Sequence, residues 1–418
     1  MLAITIFRIA FILIFALSLI PVLVLLERKV SGFIQDRPGP NRTHICGIRL
    51  GGIIQAVADA LKLVIKENFT PKSIRSKTLF NLAPMILFFT SLFCIAVIPF
   101  ADYFELDGVK YLMAAIPFDG GILWYFGFAS LGVYGILLAG ISSNNKYALL
   151  GSLRSANSVI SYEIPMGLSA VSMMITYNSI NLQEFVSYQE GFIWGILLQP
   201  VAAIIFIVCA FAESNRVPFD VAEGESEIVA GYHVEYSGMS FGMFFMAEYI
   251  AMIAMSGLII TMFFGGYSLP FLNKADIIAN HKIVLISIAV LLTLSSILFI
   301  AWLKKCNITR YECKNDIRKK ENKFYIINAV LFTLILDLIC VYFAMREVGN
   351  LGLEIINLIV NLVVFSIKTF FMLLVFLWVR WTVPRFRYDQ IQKLGWEKLL
   401  PLSIANIIIT ALVVNYVG

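Results

Sequence analysis

Long apolar runs separated by short polar connections set the pattern of this chain. Ten stretches, near 4–26, 80–100, 121–141, 156–177, 193–212, 239–265, 283–303, 324–345, 356–379 and 399–417, are each apolar over most of their length. About 20 such residues cross a hydrocarbon core as a helix. The pattern therefore predicts an all-α polytopic membrane protein of about ten spans. The first span is too long for a signal peptide and no small-residue cleavage site follows it, so it is expected to be retained. The fourth (Ser161, Glu163, Ser169, Ser172) and the sixth (Glu248) are the most polar. A different period runs through 53–67. Ile53, Val57, Ala60, Leu61, Val64 and Ile65 follow helical spacing, while Gln55, Asp59, Lys62 and Lys66 make a polar stripe on the other face. That predicts a helix too short and too charged to span, lying along the membrane surface. It reads either as a lipid-lying anchor or as the lip of a portal for a lipid-soluble molecule.

Composition sharpens the class. The chain is 60% hydrophobic and 14% charged, against about 45–50% and about 25% in soluble domains. No stretch reads as a separate soluble unit, so 1–418 is expected to form a single membrane domain. The net charge of +5 says little until the cations are placed. The connections 27–79, 142–155, 213–238, 304–323 and 380–398 carry 10, 2, 1, 8 and 5 Lys/Arg, and the alternate connections carry 1, 0, 2 and 1. Lys/Arg-rich loops stay in the cytoplasm, which puts the first set of connections there and both termini on the opposite side. Cations that flank spans in this way are topology signals. They give no support to a nucleic-acid or phosphate partner for the basic loops.

Candidate chemistry is concentrated in acids. Cys46, Cys94, Cys209, Cys306, Cys313 and Cys340 form no C-x-x-C pair, and His44, His233 and His281 are isolated. With no metal-ligand set and no Gly-rich nucleotide loop, the chain has no visible means of holding an electron carrier. By contrast, 213–238 is an acidic loop with six carboxylates, Glu213, Asp220, Glu223, Glu225, Glu227 and Glu235, and one cation, Arg216. It reads as a solvated acidic surface or as a cluster whose carboxylates cannot all ionise cheaply. Asp220, Glu223 and Glu227 lie at i, i+3 and i+7, so about two helical turns would aim all three at one site. Glu163 and Glu248, within spans, are expected to face the bundle, as functional carboxylates or as partners in helix–helix hydrogen bonds.

Three long segments carry a resemblance. "ERKVSGFIQDRPGPNR", followed by "GGIIQAVADALKLVIKE", "AESNRVPFDVAEGESEIVAGYHVEYSGMSFGMFFMAEY" and "FLWVRWTVPRFRYDQIQKLGW" occur in that order. They resemble the signatures of the H family of membrane subunits of proton-pumping NADH:quinone oxidoreductase (respiratory complex I), over about 1–268 and 358–418. The resemblance implies a quinone substrate, ubiquinone or menaquinone, and a bacterial cytoplasmic (inner) membrane. It implies flavin and iron–sulfur clusters held by partner subunits, with peripheral quinone-site subunits and antiporter-like membrane subunits as neighbours. It implies proton coupling at Glu163, Glu213, Asp220, Glu223, Glu225, Glu227, Glu235 and Glu248. It places Arg37, Asp59, Lys62, Arg216, Phe219, Arg385 and Arg387 near the quinone cavity or its mouth. The inner end of that cavity is expected from peripheral subunits.

Two related readings stay beside it. One is the homologous subunit of a membrane-bound hydrogenase or of a ferredoxin- or F420-linked complex, which the intact "AEGESE" and "RFRYDQ" runs disfavour. The other is a stand-alone ion transporter, for which no inverted repeat is visible. The sequence departs from the family at 269–357, expected to be an inserted two-helix region that leaves the side of every later loop unchanged. Its one buried acid, Asp337, is expected to dock the hairpin on the core or on a neighbouring subunit.

Overall fold

A computed structural model describes residues 2–37, 39–40, 43–44, 52–74, 76–106, 109–191, 193–220, 231–270, 272, 274–310, 317–345 and 349–417. The described chain is almost wholly helical: α1 (Leu2–Ile34), α2 (Ile53–Ile65), α3 (Lys77–Ile95), α4 (Gly121–Ser142), α5 (Lys146–Tyr177), α6 (Leu182–Tyr188), α7 (Gly195–Leu198), α8 (Pro200–Glu213) and α9 (Gly238–Phe263). Then follow α10 (Lys274–Ala279), α11 (His281–Arg310), α12 (Ile317–Met345), α13 (Asn350–Thr382), α14 (Tyr388–Lys393), a π-helical turn (Leu394–Leu399) and α15 (Leu400–Val417). One small antiparallel hairpin, β1 (Phe104–Leu106) with β2 (Val109–Tyr111), caps the α3–α4 connection.

Among the described residues, nine helices are long and apolar enough to cross a membrane, and they fall on nine of the ten expected stretches. The chain is a multi-pass membrane protein. The tenth stretch, 193–212, is not one helix. It breaks at Gln199 between α7 and α8. Pro200 is the cause: it has no N–H to donate and its ring pushes the preceding residue out of the helical region. The 14 residues of α8 rise about 21 Å at about 1.5 Å each, short of the about 30 Å hydrocarbon core. The break is not left bare. The Gln199 side chain donates to Thr176 Oγ1 on α5 at 3.2 Å and to Thr410 Oγ1 on α15 at 3.0 Å.

The helix α9 is the axis of the bundle: 78% of its most apolar 18-residue stretch is buried, against 0% for α12. Around it pack α3, α13, α1 and α8, while α5 joins α4, α8 and α15. The far end of α9 shows how a spanning chain satisfies its orphan groups. Lys368, in the middle of α13, donates to the carbonyls of Phe264, Gly266 and Ser268 at 2.9, 3.0 and 2.8 Å. An ammonium has three donors, and all three are spent on the cap and the turn that follows the C-terminus of α9, where positive charge is favoured. The side chain of Gln189 completes the same corner, accepting from Gly195 N and Gly265 N and donating to Phe185 O and Thr261 O.

A helix, α2, runs over Ile53–Ile65 of the expected 53–67, burying Ile54 and Ala56 while Lys62 and Lys66 stay exposed. Ile53, Val57, Leu61, Val64 and Ile65 are exposed, with no protein over them. Gln55 and Asp59 turn inward, and Arg28 of α1 pairs with Asp59 at 2.8 Å. The hairpin α11–α12 occupies most of 269–357. Among the described residues it packs on α13 near the end away from its connecting loop, through Leu285, Ala344, Ile356 and Val360. Of the two docking partners expected for Asp337, the core or a neighbouring subunit, the core supplies no hydrogen bond to its Oδ1 among the described residues. Apolar packing at the hairpin base holds it instead.

Candidate functional site

Four elements bring charge together inside the bundle. Glu27 comes from α1, Arg216 from the turn after α8, Glu248 and Tyr249 from α9, and Arg380 from the end of α13. Arg380 Nη1 lies 2.9 Å from Glu27 Oε1, and Tyr249 donates its hydroxyl to Glu27 Oε2 at 2.6 Å. Arg216 stands between the two acids, 3.6 Å from Glu27 Oε2 and 3.6 Å from Glu248 Oε2. Its guanidinium also lies 4.3 Å from the centre of the Tyr249 ring, a favourable place for a cation. Tyr232 donates to Glu248 Oε1 at 3.2 Å. Two guanidiniums thus face two carboxylates, all largely enclosed, with Arg216 only 4% exposed. Unpaired burial of any one would be costly, so the group is stable as a neutral set and sensitive to a charge added beside it.

A second pair closes the outer side of this group. Arg385 bonds Asp220 at 3.1 Å, and Asp220 is 2% exposed. Phe219, beside it, is buried against Tyr162 and Phe386. Asp220 thus takes a counter-charge from the C-terminal signature.

Toward the membrane interior the acids continue. Glu213 and Glu248 line one small cavity of about 60 Å³, between α3, α4, α5 and α9. That is room for a few water molecules, and its acids supply the polar partners that water needs. Glu163, on α5, accepts a hydrogen bond from Ser130 of α4. Glu213, Glu248, Arg216, Glu27 and Arg380 make one file of polar groups in the interior.

The remaining candidates fall elsewhere. Glu235 accepts from Asn145 at 2.7 Å, at the start of α5. Asp59 pairs with Arg28, as above. Arg37 and Lys62 are exposed, Arg37 bonding Gln35 at 2.7 Å. Arg387 is exposed and bonds Asp389 in its own turn. Glu223, Glu225 and Glu227 lie outside the described residues. Sequence reasoning missed Glu27, Arg380, Tyr232 and Tyr249. Glu27 and Arg380 sit inside two of the quoted signatures at the ends of spans, where a charge reads as a topology anchor.

Fold and site define a polytopic α-helical membrane protein with a neutralised file of buried acids and guanidiniums. Residues 7–411 match the family described as NADH dehydrogenase. The H chain of the NADH-quinone oxidoreductase of Flavobacterium psychrophilum is 36% identical over 386 residues, covering 92% of this chain and 90% of the relative. That of Bdellovibrio bacteriovorus is 35% identical over 421 residues (94% and 92%), and that of Salinibacter ruber 36% over 400 residues (95% and 92%). The chain belongs to the NADH dehydrogenase family, and within it to the group of H subunits of NADH-quinone oxidoreductases.

Proposed function

We propose that this chain is the membrane subunit of a proton-pumping NADH:quinone oxidoreductase that admits quinone and begins the coupling of its reduction to proton translocation. The observation that carries the reading is the continuous file from Arg380 and Glu27 through Arg216 and Glu248 to the Glu213 cavity, which Glu163 extends on this reading. Reducing a quinone takes up electrons and protons, so charge changes next to whichever groups line the cavity. A neutral set of buried charges answers such a change by moving a proton or swapping partners, and acids inside a membrane are placed for that work. Glu223, Glu225 and Glu227 extend the acidic end of the file in sequence. Arg37, Asp59 and Lys62, with the exposed apolar face of α2, form the portal on this reading, and Phe219, Arg385 and Arg387 the near wall. Electrons arrive from flavin and iron–sulfur clusters in partner subunits, and antiporter-like subunits take up the file beyond Glu163. The cation distribution supports a cytoplasmic side for the signatures, in a bacterial inner membrane on this reading.

The test is Glu248→Gln in the assembled complex, which keeps the shape and removes the charge facing Arg216. NADH:quinone turnover and proton uptake into vesicles are measured together. Both fall on this reading, while NADH oxidation by a soluble artificial acceptor stays at the wild-type rate. Wild-type turnover and pumping in an assembled variant would remove Glu248 from the path.

A further inference from the structure

A second charged group lies at the opposite end of α1. Arg8 is 6% exposed. Its guanidinium donates to Leu112 O at 2.8 Å and to Thr5 Oγ1 at 3.2 Å, both neutral acceptors, and Nε has no partner. Among the described residues no carboxylate comes within ion-pair distance of it. An arginine stays charged in any protein environment, and a buried cation without a counter-charge is unfavourable. Beside it opens a cavity of about 290 Å³ whose walls include Thr5, Arg8, Tyr103, Lys110, Tyr111 and Asp119. That is the lower end of the about 300–1,000 Å³ range of small-molecule sites. Lys110 projects from β2, and the one acid, Asp119, takes the amide of Asn181 at 3.3 Å. The walls thus carry two cations and one acid, an excess of positive charge around open space.

Depth narrows the ligand. Arg8 and Glu27 are 19 residues apart on one helix, about 28 Å at about 1.5 Å per residue. The hydrocarbon core is about 30 Å thick. With Glu27 at one boundary, Arg8 stands at the other, where phospholipid phosphates lie. Tyr103 and Tyr111 suit that level, since tyrosines gather at membrane interfaces. The outer wall is Val109 and Phe118, 39% and 49% exposed, an apolar flank against which acyl chains can lie. We propose that Arg8, Lys110 and the two tyrosines hold the phosphate group of a phospholipid in the leaflet opposite the Glu27 cluster, supplying the anion that Arg8 lacks. Arginine meets phosphate with parallel N–H donors, the geometry for which its fork is suited.

The experiment uses the purified complex with p-benzoylphenylalanine in place of Phe118, in phosphatidylcholine vesicles doped with radiolabelled phosphatidylglycerol. Irradiation is expected to give a lipid adduct on this subunit. In Arg8→Gln the adduct falls about tenfold, the loss of a charge-assisted hydrogen bond; Arg8→Lys keeps most of it. Lys110→Gln, at an exposed position, lowers it severalfold without touching the packed helix, so the idea stays testable if Arg8→Gln does not fold. A millimolar excess of inorganic phosphate leaves the adduct unchanged if the site takes its phosphate from lipid. Adduct yields that ignore Arg8 and Lys110 overturn the site, and suppression by inorganic phosphate overturns the lipid as its source.

Discussion

Replacing Glu27 by Gln tests the charged group at its least expected member. One oxygen of the carboxylate lies 2.9 Å from Arg380 Nη1 as an ion pair, and the other accepts from Tyr249 at 2.6 Å, with Arg216 3.6 Å away. A glutamine has nearly the same shape but offers one oxygen and one NH₂. Turned with its NH₂ toward Arg380 it sets a donor against a donor; turned toward Tyr249 the NH₂ meets a hydroxyl that can accept it, and in both cases the charge facing the guanidiniums and the charge-assisted bond from Tyr249 are gone. The loss is one charge-assisted hydrogen bond, about 1.5–3 kcal/mol. It also leaves two guanidiniums to share Glu248. If that cost falls on the step coupled to quinone reduction, turnover drops about 10- to 150-fold, at about 1.4 kcal/mol for each factor of ten. The assay is NADH:quinone reductase activity in membranes. Two controls accompany it: NADH oxidation by a soluble acceptor, and the amount of assembled complex on a native gel. Glu27→Asp, which keeps the charge on a shorter stem, is expected to fall between the two. Wild-type quinone turnover in a fully assembled Glu27→Gln complex would refute the argument, because the charge balance would then have no functional weight.

Other outcomes follow from single contacts. Lys368→Met should lower the thermal midpoint of the solubilised complex, since three carbonyls at the end of α9 lose their donors, each buried loss costing about 1–3 kcal/mol; quinone turnover per assembled complex should hold. Arg385→Gln should weaken the complex and slow quinone reduction, because Asp220 loses its bonded partner while 2% exposed; unchanged activity and stability would count against the pair. A cysteine at Asn315, with Cys306 and Cys313 removed, should react with an impermeant thiol reagent only from the cytoplasmic side. Asp337→Asn should leave protons pumped per quinone unchanged, any loss appearing as poorer assembly; an assembled variant that reduces quinone but pumps less would put Asp337 on the proton path.

The spans are legible in the sequence because a hydrocarbon core demands runs of apolar residues and tolerates few substitutes. Legibility ends where tertiary pairing begins. Glu248 and Arg216 are visible, one as an acid within a span and the other as the cation in an acidic loop. Their partners Glu27 and Arg380 are not, since a charge at a helix end is ordinary and only the fold shows that two such ends meet. The break at Gln199 has a written signal in Pro200, which hydropathy averaging over a window erases. Lys368 reads as a cation in a span, but nothing local to it says that it ends a different helix.

One contact bears on how such a chain changes length. Lys274 and Glu354 lie 2.9 Å apart, one before α11 and the other after α12. The chain departs from the bundle and returns to the same spot, like a drawstring pulled through one eyelet. Whatever lies between those residues is suspended from two neighbouring attachment points. A pair of membrane helices can be added or withdrawn there while α13 still begins where it must, on the same side and in the same register. Evolution can therefore experiment with the lipid-facing perimeter of this protein without disturbing the alignment of Arg380 with Glu27 at the far end of α13.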